Sequence, residues 1–240
     1  MRTRIELEIH GQPDDESCGA TCLQAVYRWY GDEVALTDVI SEVELLETGG
    51  TLAVLLAVHA LRRGYRATIY TYNLQLFDPT WFTEPGIDLI ERLERQATEK
   101  EDDKLRFATG AYVEYLGLGG VVRFEELSPG LVRRHLSRQQ PLLTGLSATY
   151  LYNCARERGW ETLEYDDVRG HPTGHFVVVH GYDAARDEVY VADPLLDNPG
   201  FGSHYYVVGM QRLLGAILLG VLTYDANLLV LEAANVEAPS

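Results

Sequence analysis

Residues 12–23 read QPDDESCGATCL, with a lone cysteine, Cys18, followed by glycine where a helical run begins. A cysteine at a helix start faces backbone N–H groups that have no intrahelical partner, and the positive end of the helix dipole. Both stabilise a thiolate, and a neighbouring imidazolium stabilises it further. The carboxylates of Asp14, Asp15 and Glu16 act in the opposite sense, so they either point into solvent or bind something cationic. Gly19 leaves room for a substrate backbone to approach. Free cysteines are also commonly buried and inert. Cys18 therefore becomes a nucleophile only if the rest of the chain supplies a base and a group to orient it.

The second half of the chain offers both. GHFVVVHGYDAARDEVYVADP, residues 174–194, reads as two alternating strands about the turn DAARD. Folding the pair about that turn brings His175 opposite residues at or just past Asp193. His175 opens its strand after Gly174, where a side chain reaches a cleft, and Asp193 closes its strand before Pro194. A carboxylate there fixes the imidazole tautomer and stabilises its charged form. Other histidines lack this arrangement. His180 suits the interior of the sheet, His171 an exposed loop and His59 an apolar helix, while His135 and His204 have no supporting pattern. Asp183 and Asp187 belong to the turn, which leaves Asp197 as the rival to Asp193. Gln12, six residues before Cys18, carries an amide that can donate to a developing oxyanion beside the Cys18 N–H. Its alternative is an exposed loop position before Pro13.

These residues need elements to hold them. IELEIH (5–10) alternates as a strand, and CGATCLQAVYRWYG (18–31) reads as a helix closed by Gly31. Ala20, Leu23, Ala25, Val26 and Tyr30 give that helix an apolar stripe. LTDVISEVELLE and TLAVLLAVHALRRG read as two further helices, the second with Thr51 as N-cap and Gly64 as its stop. YRATIYTY then alternates as a strand. GIDLIERLERQATEKEDDK reads as an amphipathic helix running into a charged turn, and SPGLVRRHLSRQ as a helix capped by Ser128 with Pro129 at its first position. Beyond residue 140 the runs PLLTGLSATYLYN, GHFVVVHGYD, DEVYVADP, SHYYVVG and NLLVLEA are short and β-rich. Helices first and an antiparallel sheet later define an α+β fold. One domain over 1–240 is expected, with a helical lobe at about 8–72, a helix-rich insertion at about 74–140 and a β lobe at about 141–235.

Composition narrows the function. The formal net charge of −16 argues against nucleic acid and against anionic lipid surfaces, both of which select basic patches. An acidic surface tolerates or attracts a cationic peptide, and it also serves solubility. The N-terminal MRTRIELEIH has no apolar core of a signal peptide, and LLGAILLGVL (213–222) is about half the length a membrane span needs. Three cysteines without tight spacing make no disulfide framework and fit a reducing, cytoplasmic compartment. Cys18 and Cys22 share a helix face, but no nearby histidine or cysteine pair completes a zinc site, so neither a metal nor a cofactor is expected.

QPDDESCGATCL, followed far downstream by GHFVVVHGYD and VYVADP, resembles the bacteriocin leader-processing, double-glycine cysteine peptidases, family thirty-nine of the cysteine peptidases. That resemblance implies a papain-like fold, with the active site between a helical and a β lobe. It implies Cys18 as nucleophile, His175 as base, Asp193 as orienter and Gln12 as oxyanion residue, with Cys22 in a packing role. GGTLAVLLAVHALRRGYRATIY also resembles the family's next helix and strand. The likeness covers about 8–72 and 140–224. The segment between is longer than the family core requires, and no transporter domain accompanies it, as in stand-alone relatives.

Three functions follow from the same residues. The first is a peptide or amide hydrolase working through an acyl-enzyme, with a peptide or protein as substrate. The second is an acyltransferase on the same scaffold, handing the acyl group to an amine. The third is a non-catalytic peptide-binding module, which has no need of all of Cys18, His175 and Asp193. Aromatics at 72–82 and 149–153 either line a peptide groove or form a small core that anchors the insertion.

Overall fold

The computed structural model describes residues 2–46, 49–159 and 164–233. Helix α1 (Cys18–Trp29) buries every residue from Cys18 to Tyr27. It is therefore a core helix covered on all sides rather than a surface helix with one apolar stripe. It packs against α2 (Leu36–Glu42), α3 (Ala53–Arg62) and the sheet. Gly31 and Gly64 follow α1 and α3 at φ +80° and +86°, the left-handed conformation in which glycine stops a helix. Thr51 is not the cap of α3. The N-cap is Leu52, and the Thr51 hydroxyl instead donates to the Glu44 carbonyl at 2.9 Å. The α3 first-turn amide of Ala53 reaches Asp225, far along the chain, at 3.4 Å.

The sheet has the order β3 (Val121–Arg123), β2 (Tyr65–Thr71), β10 (Asn227–Ala233), β4 (Leu142–Ser147), β7 (Gly174–Asp183), β8 (Glu188–Ala192), β9 (Tyr205–Gly209). The pairs are antiparallel except β2 with β3, which is parallel, so the sheet is mixed rather than purely antiparallel. β2 comes from the helical part of the chain and pairs with β10 over its full length, from Asn227↔Thr71 to Ala233↔Tyr65. Strand β1 (Arg2–Arg4) joins the far end of β7. The alternation in IELEIH is real in burial, with Ile5, Leu7 and Ile9 inside, but the ladder is confined to residues 2–4. A separate ladder pairs β5 (Glu157–Arg158) with β6 (Glu164–Tyr165).

The expected single helix after residue 86 is two, α4 (Leu89–Glu99) and α5 (Asp103–Gly117). Asp102 caps α5 by accepting from the Leu105 amide at 2.9 Å, so the charged turn is a helix start. Ser128 caps α6 (Pro129–Leu136) as expected, accepting from the Leu131 amide at 3.2 Å. α5 lies along α3 and α4. Phe77 packs edge-on to Tyr112 of α5 at 4.8 Å and touches Trp81 and Phe82. The aromatic stretch at 72–82 thus anchors the insertion. The short helix α7 (Ala148–Tyr152) follows β4, and the apolar run 213–222 forms the end of α8 (Met210–Leu219) and a 3-10 turn. Among the described residues no helix is long and apolar enough to cross a membrane.

Candidate active site

The β7–β8 hairpin pairs Val178 with Ala192 and Val179 with Val191, with a register shift between Val179 and Gly181. Continued past Ala192, that register sets His175 just beyond Asp193. There the His175 Nε2–H donates to Asp193 Oδ1 at 2.8 Å, with both side chains buried. On its other side His175 lies opposite Leu146 of β4. With Nε2 held by Asp193, the remaining ring nitrogen is Nδ1, and the ring interacts with the Cys18 thiol.

Cys18 is the first residue of α1. Its N-cap, Ser17, makes no side-chain bond to the first turn, which leaves that turn's amides for another acceptor. Helix and strand are tied one turn further on, where the Cys22 thiol donates to the Phe176 carbonyl at 3.3 Å. Gly19 does not serve substrate access. A Cβ there would stand 2.7 Å from Thr51 Cγ2 and 3.2 Å from both Leu56 Cδ1 and Phe176 Cδ2. Its small size lets α1 sit close to α3 and β7, which brings Cys18 to His175.

The charges follow from these contacts. Burial pushes the His175 imidazole down. The Asp193 charge and hydrogen bond, with a smaller part from Cys18, more than offset this and hold it well above the ordinary histidine value. Burial pushes Asp193 up, but His175, Tyr206 and the Leu195 amide outweigh it and hold the carboxyl below its ordinary value. The pair is therefore an imidazolium and a carboxylate. Cys22 is different: burial, then the neighbouring Cys18 and Asp193, raise its thiol well above the ordinary value. Burial also raises Cys154.

Gln12 is anchored beside this pair by its amide N–H, which donates to the Pro194 carbonyl at 3.0 Å. Its side-chain Nε2 donates one hydrogen to the Asp14 carbonyl at 2.8 Å, and its Oε1 is buried without a partner. Asp14 shapes the turn into α1. Its Oδ1 accepts from the Glu16 amide, and its carbonyl accepts from Gln12 and the Ser17 hydroxyl. The side chains of Asp14, Asp15 and Glu16 are exposed. Among the other histidines, His180 donates to the Ile5 carbonyl, His59 sits between Tyr27 and Glu42, and His135 sits between Tyr70 and Gln140. His171 and Asp197 are exposed.

Sequence reasoning missed four groups around Asp193. The hydroxyls of Tyr152 and Tyr206 and the Leu195 amide donate to its carboxylate, and His204 Nδ1 donates to its carbonyl at 2.7 Å. The alternation of SHYYVVG, which turns Tyr206 inward beside the end of β8, was the available hint.

Residues 130–210, which include His175 and Asp193, match the model of the Peptidase_C39 like family. Among solved structures the chain is similar to a C39-like peptidase from Bacillus anthracis, with a TM-score of 0.54 and 14% identity over 97% of this chain and 98% of that one. A double glycine motif protease from an AMS/PCAT transporter, in complex with the leader peptide, aligns with a TM-score of 0.47 and 13% identity, over 97% and 95% of the two chains. Xylellain, a cysteine protease from Xylella fastidiosa, aligns with a TM-score of 0.43 and 13% identity, over 98% and 86%. No curated protein matches the chain by sequence. The family match is confined to residues 130–210, and over nearly the whole chain the fold is similar to that of the C39-like peptidase from Bacillus anthracis.

Proposed function

We propose that the protein cleaves an amide bond of a peptide through a Cys18–His175–Asp193 triad and an acyl-enzyme. The observation that carries this is the buried His175–Asp193 pair, bonded at 2.8 Å, with its ring against a cysteine at an uncapped helix start. In the resting site His175 Nδ1 already holds the proton given up by Cys18, and the thiolate attacks the substrate carbonyl carbon. The Cys18 N–H and the second Nε2 hydrogen of Gln12 donate to the oxyanion. Collapse breaks the C–N bond, and the imidazolium gives its proton to the leaving amine. Water then attacks the thioester with His175 as base, which releases the acid and restores the thiolate beside the imidazolium. Asp193 stays ionised throughout and holds the ring. The three free cysteines suit a reducing compartment such as the cytoplasm, and the exposed carboxylates before Cys18 suit a peptide that is not strongly acidic.

Iodoacetamide labelling of the folded protein, read by peptide mapping, tests the assignment. Cys18 is expected to react well ahead of Cys22, which is buried with a raised thiol, and of Cys154. Equal labelling of the three, or an unreactive Cys18, rejects the nucleophile.

A further inference from the structure

Asp193 is fully buried, and the groups bonded to its carboxylate are all donors. Oδ1 accepts from His175 Nε2 at 2.8 Å and from the Leu195 amide at 2.9 Å. Oδ2 accepts from the Tyr152 hydroxyl at 2.8 Å and from the Tyr206 hydroxyl at 2.6 Å. Neither phenol belongs to the hairpin: Tyr152 ends α7, and Tyr206 lies on β9. Phe201 packs on both rings, stacked on Tyr206 with centroids 3.9 Å apart and edge-on to Tyr152 at 6.4 Å. Its loop is pinned by the buried Asn198, which donates to the Leu195 and Ser203 carbonyls and accepts from the Phe201 amide.

We propose that Tyr152 and Tyr206 are positioning residues of the candidate triad, together holding the Asp193 carboxylate charged and turned so that Oδ1 faces His175. What this means for catalysis rests on the peptidase reading; what it means for the His175–Asp193 pair rests on the geometry alone. A carboxylate bonded through one oxygen can rotate and exchange its oxygens. One bonded through both, to elements on different sides, cannot do so without breaking two bonds. A protonated Asp193 would also need an acceptor for its new O–H, and each group around it already donates to it. Protonation therefore requires at least one phenol to turn away. Burial, reinforced by the Asp193 charge, pushes both phenols far above the ordinary tyrosine value, so they remain donors wherever the protein is folded.

The alternative is that both rings serve only as packing, in which case phenylalanine would do as well. Tyr152→Phe and Tyr206→Phe separate the two, because each keeps the ring and its contact with Phe201 while deleting one donor. Tyr150→Phe, on the same helix with its ring exposed, is the control. The His175 ring is followed by 15N NMR from about pH 3 upward, and the rate of Cys18 alkylation by iodoacetamide is measured over the same range. Removing a donor from a charged carboxylate raises its pKa. Each variant should therefore move the acid-side transition of His175 upward by about one pH unit, and the double variant should move it further. The onset of Cys18 alkylation should move with it, while Tyr150→Phe leaves both in place. Profiles that superimpose on the wild type, in variants that stay folded by circular dichroism, overturn the proposal even where Cys18 remains reactive. A shifted His175 transition with an unreactive Cys18 supports the clamp and removes the peptidase reading instead.

Discussion

Among the described residues two carboxylates are buried, and their values move in opposite directions. Asp193 is fully buried yet held below the ordinary carboxylate value. Asp225, only 5% exposed, is pushed up to about 6. Burial raises both, so burial does not distinguish them. The difference lies in what touches them. Asp193 has four donors in contact, one of which, His175, is a cation. Asp225 accepts from Asn227 Nδ2 at 2.6 Å and from the Ala53 amide at a long 3.4 Å. The cation that acts on it, Lys104, lies over the Tyr224 ring at 4.8 Å from the centroid. In this fold a dry carboxylate is held below its ordinary value where a contact cation and a full set of donors are assembled around it, and is raised where they are not.

The harshest way to break the comparison is to remove Asp193. Asp193→Ala leaves the His175 ring, the Leu195 amide and two phenols without an acceptor, and should cost about 3–5 kcal/mol in urea unfolding at neutral pH. His175 then keeps its burial, opposed only by the smaller contribution of Cys18, so its pKa should fall, and the Cys18 alkylation rate at neutral pH should drop at least tenfold. The wild-type pair contributes stability between two limits. On the acid side it is lost as pH falls below the ordinary carboxylate value and through the lowered value of Asp193. On the alkaline side it is lost as pH rises through the raised value of His175, which reaches about 10. The variant should lose both slopes. A variant as stable as the wild type, with His175 unmoved in NMR, would mean that the pair does not set the charge.

Asp225→Asn is the opposite manipulation, and its effect should have the opposite sign. The folded value of about 6 lies above the 3.8 of a free carboxylate, so the wild type loses stability as pH rises between the two and is fully penalised above about 6. Two units correspond to on the order of 3 kcal/mol, from which imperfect amide bonding to Ala53 and Asn227 subtracts. The variant should match the wild type near pH 4 and be more stable by about 1–3 kcal/mol near pH 8. An equal difference at both pH values would assign the effect to packing instead of charge.

The same contrast explains how much of the site was legible in the sequence. Cys18, His175 and Asp193 could be picked out because the hairpin is local and its turn sets the register that brings His175 to Asp193. The helix start at Ser128 and the helix stop at Gly31 were readable for the same reason: each depends on its immediate neighbours. What escaped depends on elements distant in sequence. The α3 start is capped by Asp225, not Thr51, across 172 positions. Gly19 looked like an opening for substrate because its neighbours Thr51, Leu56 and Phe176 come from other parts of the chain. Tyr152 and Tyr206 looked like ordinary aromatics, since no periodicity announces that two rings 41 and 13 residues from Asp193 will meet on one oxygen. The parallel pairing of β2 with β3 is likewise invisible until the insertion has packed on α3.

Lys104→Met makes the smallest change and asks the sharpest question, whether a cation out of contact counts. Lys104 lowers the Asp225 value through its charge, so the variant should raise that value further and deepen the penalty at high pH. Because Lys104 is partly exposed, solvent screens it, and the pH-dependent part should be only a few tenths of a kcal/mol. The variant also loses the cation–π contact with Tyr224, worth about 0.5–1 kcal/mol. Burial lowers the lysine's own pKa, but an ammonium remains charged between about pH 4 and 8, so the ring contact contributes equally at both ends of that range. Urea unfolding at the two pH values therefore separates the terms: the loss near pH 4 measures the ring contact, and the extra loss near pH 8 measures the reach of the charge to Asp225. An extra loss as large as the Asp225→Asn gain would show that a remote cation holds a buried carboxylate as well as a touching one, and the contrast between Asp193 and Asp225 would then rest on the hydrogen-bond donors alone.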